Sequence, residues 1–509
     1  MKWDILAAFV LAMSSVIVIA WFARRATRGA LAAGGTFMDE FFVAGRSLGP
    51  LILAATFFTT IASAGTFIGY PGLAYQNGLT VVMTGINQIT MFYLTFGLVG
   101  KRMAIVGKRT GAVTFTDLLR NRFDHPLVVV GSTAAILVFF VAFMVAQFAG
   151  ASRILQAVAG VPYPVGVGVF AAVVATTVIL GGFRAVAWTD AIQGVFMLLG
   201  LAIVLPVMIH AAGGLEAITQ GLLDVDPGMV FGPGPEDWLP PTMLLSFWFL
   251  WSWIAVGNPA TAMRFFAARD TRSIHRGMIV GTVIATLVYV PMFYMGAGAR
   301  VLFPDTAPDQ AILDIYLTLL PNWLVGLVLA APFAAVVSTV DSLLIVASGA
   351  LIRDLYHRYI RPQAPPDSVA KLTYLATVGM MVVVVWLSLT PPKLIADIVI
   401  YFGGGVTAAF LVTVLAALYS RRARTAGAIA SIFGGFAVFL VVETWFDNPL
   451  DLMSYVWGLA ASALFMIIGS RFGQPPPPEV IAQFFGGTQA KASAKDASTE
   501  KGGSNADTA

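Results

Sequence analysis

The chain has 509 residues, 58% of them hydrophobic and 11% charged, with a net charge of +4 and a mean hydropathy of +0.84. A soluble protein carries about 25% charged residues, so a chain this apolar could not cover a water-facing surface, and the solvent for most of it is lipid. It has no cysteine, which excludes disulfides, thiolate metal centres and cysteine nucleophiles, and the small net charge gives no sign of a nucleic-acid partner.

Taken in order, the apolar runs predict thirteen membrane spans, near residues 4–23, 49–74, 79–100, 127–158, 163–182, 188–211, 241–263, 277–302, 323–351, 370–389, 394–417, 424–443 and 451–470. Each has roughly the 20 residues that a bilayer requires, or somewhat more, which tilt absorbs. The first run is read as a retained span, not a cleaved leader. Only Lys2 precedes it, and Arg24 and Arg25 come after it. With the N-terminus outside, 26 of the 30 Lys and Arg fall on inner connections or the tail. The exceptions are Lys2, Arg153, Arg300 and Lys393. Arg264 is counted among the inner residues, with Arg269, Arg272 and Arg276. The chain is thus expected to be a multi-pass protein of the cell membrane with a cytoplasmic C-terminus. After Phe472 the composition turns polar, and PPPP at 475–478 breaks any helix. Residues 473–509 are expected to form a disordered cytoplasmic tail.

Two spans look interrupted. The second reads LILAATFFTTIASAGTFIGYPG, with hydroxyl and small residues from Thr59 to Thr66 and then Gly69, Pro71 and Gly72. The seventh reads SFWFLWSWIAVGNPATAMRFF, with Gly257, Asn258 and Pro259 late in the run. Unwound backbone at membrane depth is tolerated only against protein or a wet cavity. Two such breaks, five spans apart, point to a transporter with inverted repeats and a midplane site. The plain alternative is the ordinary glycine and proline of membrane helices.

The ninth span contains AAVVSTVDSLL at 334–344. At 3.6 residues per turn, Ala335, Ser338, Thr339 and Ser342 share one face, and Asp341 lies beside it. Hydroxyls and a backbone carbonyl are hard ligands that suit a hard cation such as Na⁺. They equally serve to bond their own i−4 carbonyls or to join helices. Asp341 adds an ionisable group at membrane depth, which marks an ion or proton path or a structural pair. Asp190, in GGFRAVAWTDAIQG at 181–194, opens the sixth span, where an anion also caps a helix N-terminus.

GGFRAVAWTDAIQG resembles the signature of the sodium:solute symporter family, and AAVVSTVDSLL resembles that family's sodium-site helix. The resemblance spans about 1–472 and is nearest to the sodium/pantothenate subgroup, through FIGYPGLAYQNGL, AQFAGASRILQAVAGVPY, SFWFLW and LAAPFAAVVST. It implies an all-α transmembrane symporter domain at 1–472. One helix would precede two inverted five-helix repeats, about 49–211 and 241–417, and two further helices would come after them. It implies Na⁺ as coupling ion and no organic cofactor. The Na⁺ would be held by backbone of Thr59, Ala62 and Ala335 and hydroxyls of Ser338 and Thr339. A second cation, a proton or a structural pair would involve Asp190, Asp341 and Ser342. The substrate cavity would use Ser63, Gln88, Trp248, Trp251, Asn258 and Phe402, of which Gln88 and the tryptophans are as well explained by helix packing.

The expected function is Na⁺-coupled uptake of a small organic solute, a carboxylate such as pantothenate, by alternating access. The segment around VGNPATAMR departs from the pantothenate subgroup, so the alternative is proton- or sodium-coupled symport of another monocarboxylate or an amino acid. One charge moved through 100 mV yields about 2.3 kcal/mol, and a tenfold Na⁺ gradient adds about 1.4 kcal/mol. Together they support roughly 500-fold accumulation. A membrane enzyme would need a catalytic constellation, yet His125, His210, His275 and His357 lie far apart near predicted membrane edges. A sensor would need an output domain and a channel a repeated filter. The expected partners are the bilayer and a small-molecule substrate, with no obligate protein partner.

Overall fold

The computed structural model describes residues 3–32, 34, 40, 42–390 and 394–486. Lys393 and most of the polar tail therefore lie outside the described residues. Those described form helices and turns, with an isolated bridge at Leu48 and Ala268. The helices, in chain order, are α1 Trp3–Ala32, α2 Pro50–Ile61, α3 Gly65–Asn77, α4 Thr80–Thr110, α5 Phe115–Phe123, α6 Pro126–Ala159, α7 Tyr163–Ala211, α8 Leu215–Val225, α9 Pro241–Trp253, α10 Pro259–Ala267, α11 Thr271–Leu302, α12 Ala311–Leu319, α13 Asn322–Ile360, α14 Pro366–Ser388, α15 Ile395–Tyr419, α16 Thr425–Trp445, α17 Ser454–Gly469 and α18 Pro478–Phe485.

Among the described residues, 8 helices or helix segments are long and apolar enough to cross a bilayer, and the bent pair α2/α3 makes a ninth crossing. The other four expected spans fall on shorter segments: Trp3–Ser15, Tyr163–Thr177, Ser454–Gly469 and the pair α9/α10. The expected spans 163–182 and 188–211 lie within the single helical run α7, with no loop between them. Its 49 residues would measure about 74 Å if straight, more than twice a bilayer's apolar depth. The run is therefore not one simple crossing.

Both expected interruptions are present. α2 and α3 meet at 62°, where Ala62 leaves helical geometry (φ −68°, ψ 110°). The peptide groups freed there find local partners, as burial in lipid demands. The Ala64 N–H donates to Gln147 Oε1 of α6 at 2.9 Å, and the Gly65 N–H donates to Ser63 Oγ at 3.2 Å. A side chain at Gly150 would stand 2.5 Å from the Ala64 Cβ, so glycine lets α6 approach this break. The second interruption separates α9 from α10. Asn258 caps α10 by accepting the Ala260 N–H at 2.9 Å, and Thr261 Oγ1 donates back to the Ala255 carbonyl at 2.6 Å. A Cβ on Gly257 would lie 2.8 Å from the Leu411 backbone nitrogen of α15, so this turn requires glycine for close approach.

The ends are pinned by charge. Arg184 pairs with Glu40 at 2.7 Å, and Arg353 pairs with Asp117 at 3.0 Å. Arg153 pairs with Asp309 at 3.3 Å. Burial holds the Asp309 carboxyl above its ordinary pKa, against the pull of Arg153. The described part of the tail, 473–486, ends in a helix where disorder is expected. The proline run ends at α18, and proline at the first helical position is compatible with a helix start. Phe484 of α18 is buried, Arg122 lies near the rings of Phe484 and Phe485, and Arg109 donates to the Gln483 carbonyl. Those aromatic contacts explain why this part of the tail packs.

Candidate functional site

The first break opens against the middle of α13. Thr339 Oγ1 donates both to its own-helix carbonyl at Ala335, 2.8 Å away, and to the Thr59 carbonyl of α2, at 3.2 Å. Ser338 Oγ donates to the same Ala335 carbonyl at 2.9 Å. Thr59, Ala62, Ala335, Ser338 and Thr339 are all buried. Two carbonyls and two hydroxyl oxygens therefore converge where α2 loses its helical ladder. The chemistry of that donor set is hard, uncharged and compact, and it fits a desolvated alkali cation. No group of three or more His, Cys, Asp or Glu that could hold a metal occurs among the described residues.

Asp190 stands beside this cluster. Its Oδ2 accepts from Thr56 Oγ1 at 2.6 Å, and the hydroxyls of Thr59 and Ser338 are within its reach. Asp190 Oδ1 is buried without a hydrogen-bond partner. The three residues expected to form a second site are not drawn into one ligand shell. Asp341 turns to α7 and accepts from Thr177 Oγ1 at 2.9 Å, although it still feels the charge of Asp190. Ser342 Oγ accepts instead from Arg264 Nη2 at 2.8 Å.

Arg264 corrects the sequence reading, which placed it on an inner connection. It is fully buried, donates from Nη1 to the Ala260 carbonyl at 2.8 Å, and interacts with the charge of Asp190. The cause is the break before α10. A crossing interrupted at 254–258 brings residues 259–267 inside the bundle, and every residue from Pro259 to Ala267 is buried.

The expected substrate residues divide. Ser63, Trp251, Asn258 and Phe402 line a void of about 20 Å³ between the two breaks, together with Thr60, Thr66, Tyr70 and Phe143. That volume holds about one water. Phe143 stacks on Phe402 with centroids 4.0 Å apart, and Tyr70 meets Trp251 edge-on at 5.5 Å. Gln88 is buried behind this wall and hydrogen-bonds Tyr70. Trp248 lies elsewhere: it is 41% exposed and its indole N–H donates to the Met83 carbonyl at 2.5 Å. Tyr70, Phe143 and Gln147 were not singled out from the sequence. Gln147 carried a usable signal, an amide in an apolar run like that of Gln88. The aromatic pair carried none.

Broken helices facing a central void, with a hard-donor cluster at one break, define the architecture of an ion-coupled secondary transporter. The sodium:solute symporter family model matches residues 41–435, and the chain belongs to that family. It is similar to the sodium/pantothenate symporter of Escherichia coli strain K12, at 34% identity over 88% of this chain and 93% of that protein. It also matches the sodium/pantothenate symporter of Haemophilus influenzae, at 33% over 86% and 91%. The osmoregulated proline transporter of Bacillus subtilis matches at 25% over 94% and 96%. Among solved structures, the substrate-bound outward-open state of a Na⁺-coupled sialic acid symporter superposes with TM-score 0.76 at 17% identity, covering 93% of this chain and 99% of that one. That likeness carries the fold.

Proposed function

We propose that this protein uses a Na⁺ gradient to take up pantothenate or a closely similar small carboxylate by alternating access. The observation that carries the reading is the meeting of Thr339 with the Thr59 carbonyl at the first break, a donor set that costs a Na⁺ little to enter in place of its water. Pantothenate is favoured over other solutes because the two relatives of that name share about a third of their residues with nearly the whole chain. Na⁺ would sit among Thr59, Ala62, Ala335, Ser338 and Thr339, bracing α2 against α13. The solute would occupy the space between the breaks, held by Ser63, Thr66, Asn258 and the helix N-termini at Gly65 and Pro259, since the residues that line the void carry no charge. A solute of pantothenate's size needs the Phe143–Phe402 and Tyr70–Trp251 walls to part. We place the N-terminus outside, on the distribution of basic residues. A second reading, an amino-acid symporter, is supported by the proline transporters among the relatives.

The test is uptake of labelled pantothenate into proteoliposomes under an inward Na⁺ gradient, under K⁺ in its place, and under a pH gradient. Na⁺-dependent accumulation that unlabelled proline does not compete away is the expected result. Accumulation driven by protons alone overturns the ion assignment. Na⁺-driven uptake of proline without pantothenate moves the solute to the second reading.

A further inference from the structure

Arg264 is a full positive charge in the interior of the bundle, 0% exposed. One arm is held by the Ala260 carbonyl and the other by Ser342 Oγ, each at 2.8 Å. The guanidinium lies over the Phe183 ring, 5.0 Å from its centroid. It is therefore fixed by α10, α13 and α7 at once, and arginine cannot shed its charge there. The charge of Arg264 acts on Asp190, and that of Asp190 acts on Asp341. Asp190 Oδ1 and Arg264 Nε are both buried without a hydrogen-bond partner.

We propose that Arg264 is a tethered resident cation of the Asp190–Asp341 cluster, taking the place of a second Na⁺ and setting the number of bound Na⁺ at one. The inference rests on the sodium reading proposed for the first break. A free cation beside this guanidinium would face a fixed like charge in a dry interior, which is strongly disfavoured. Ser342 is already engaged by Arg264 and does not turn to a free ion. A monoanionic solute that travels with one Na⁺ carries no net charge, so its uptake does not respond to membrane potential, and the accumulation expected from the sequence falls from roughly 500-fold to the share of a tenfold Na⁺ gradient alone, about tenfold.

The experiment is equilibrium binding of radioactive sodium to the purified full-length protein, without solute, so that it does not depend on which solute is carried. The expected count is one saturable site per chain in the wild type and in Arg264→Lys, one of about 10- to 100-fold weaker affinity in Thr339→Ala, and two in Arg264→Gln. Two sites in the wild type, or one in a monodisperse Arg264→Gln protein, overturn the inference while sparing sodium coupling. If Arg264→Gln does not yield folded protein, the wild type and Arg264→Lys decide, since two sites in either one contradict a resident cation. No site in the wild type removes the sodium reading itself, and this inference with it.

Discussion

The two broken spans solve one problem in opposite ways. At the first break the freed peptide groups are satisfied in part from outside, by Gln147 of α6, beside the loop's own Ser63. The Thr59 carbonyl faces a neighbouring helix, where Thr339 finds it. At the second break the chain satisfies itself, through the Asn258 cap and the Thr261 back-bond, and it presses Gly257 onto the backbone of α15. An opening that borrows its partners exposes oxygens to a ligand. An opening that closes on itself positions the next helix, here α10 with the buried Arg264. Small residues at a break in an apolar span therefore give the proposed ion-binding element in one half and a scaffold element in the other.

The sharpest way to break this contrast is Thr339→Ala, which removes the link between α13 and the first opening. Loss of a hydroxyl that contacts an ion is expected to weaken Na⁺ activation of uptake by about 10- to 100-fold, read as the Na⁺ concentration for half-maximal rate. An unchanged value would place the ion elsewhere. Gly257→Ala probes the other opening. Its Cβ meets the Leu411 backbone, so the variant is expected to lose about 1–3 kcal/mol of stability by overpacking, measured as thermal unfolding in detergent, with half-maximal Na⁺ unchanged in whatever folds.

Gln147→Ala leaves the Ala64 N–H buried without its acceptor, at a cost of about 1–3 kcal/mol. Unlike Gly257→Ala, it is expected to shift Na⁺ activation as well, because it loosens the first break. Asn258→Ala removes a helix cap and should cost about 1 kcal/mol, with no shift in Na⁺ activation. The smallest effect lies outside both breaks. Asp270 caps α11, and the Ser273 N–H and hydroxyl it accepts hold its carboxyl down to about 2. A depressed acid stabilises fully above its ordinary value near 4 and loses that contribution as pH falls through the folded value. The stability difference between wild type and Asp270→Asn should therefore be flat from about pH 5 to 8 and vanish only in strong acid.

The sequence carried more of the ion half than of the solute half, for a physical reason. Hydroxyls at Ser338 and Thr339 inside an apolar helix are unusual locally, and the 3.6 period places them on one face without any tertiary knowledge. The breaks likewise advertise themselves through Gly, Asn and Pro. Arg264 was misplaced because counting basic residues treats each one after a span as interfacial, whereas an interrupted span keeps its second half inside. Trp248 and Trp251 are neighbours on one helix surface, yet only Trp251 meets Tyr70. Which aromatic faces a void depends on the packing of distant helices, and nothing local to Phe143 or Phe402 records that they stack.

The most direct test of the ion's place is hydrogen–deuterium exchange on the purified protein in Na⁺ against K⁺, without solute. Na⁺-specific slowing is predicted in the peptides that cover residues 56–66 and 335–342, with little change across 254–261, because the second break is closed by its own side chains. Equal slowing at both breaks, or slowing confined to 254–261, would contradict the assignment of the ion to the first opening.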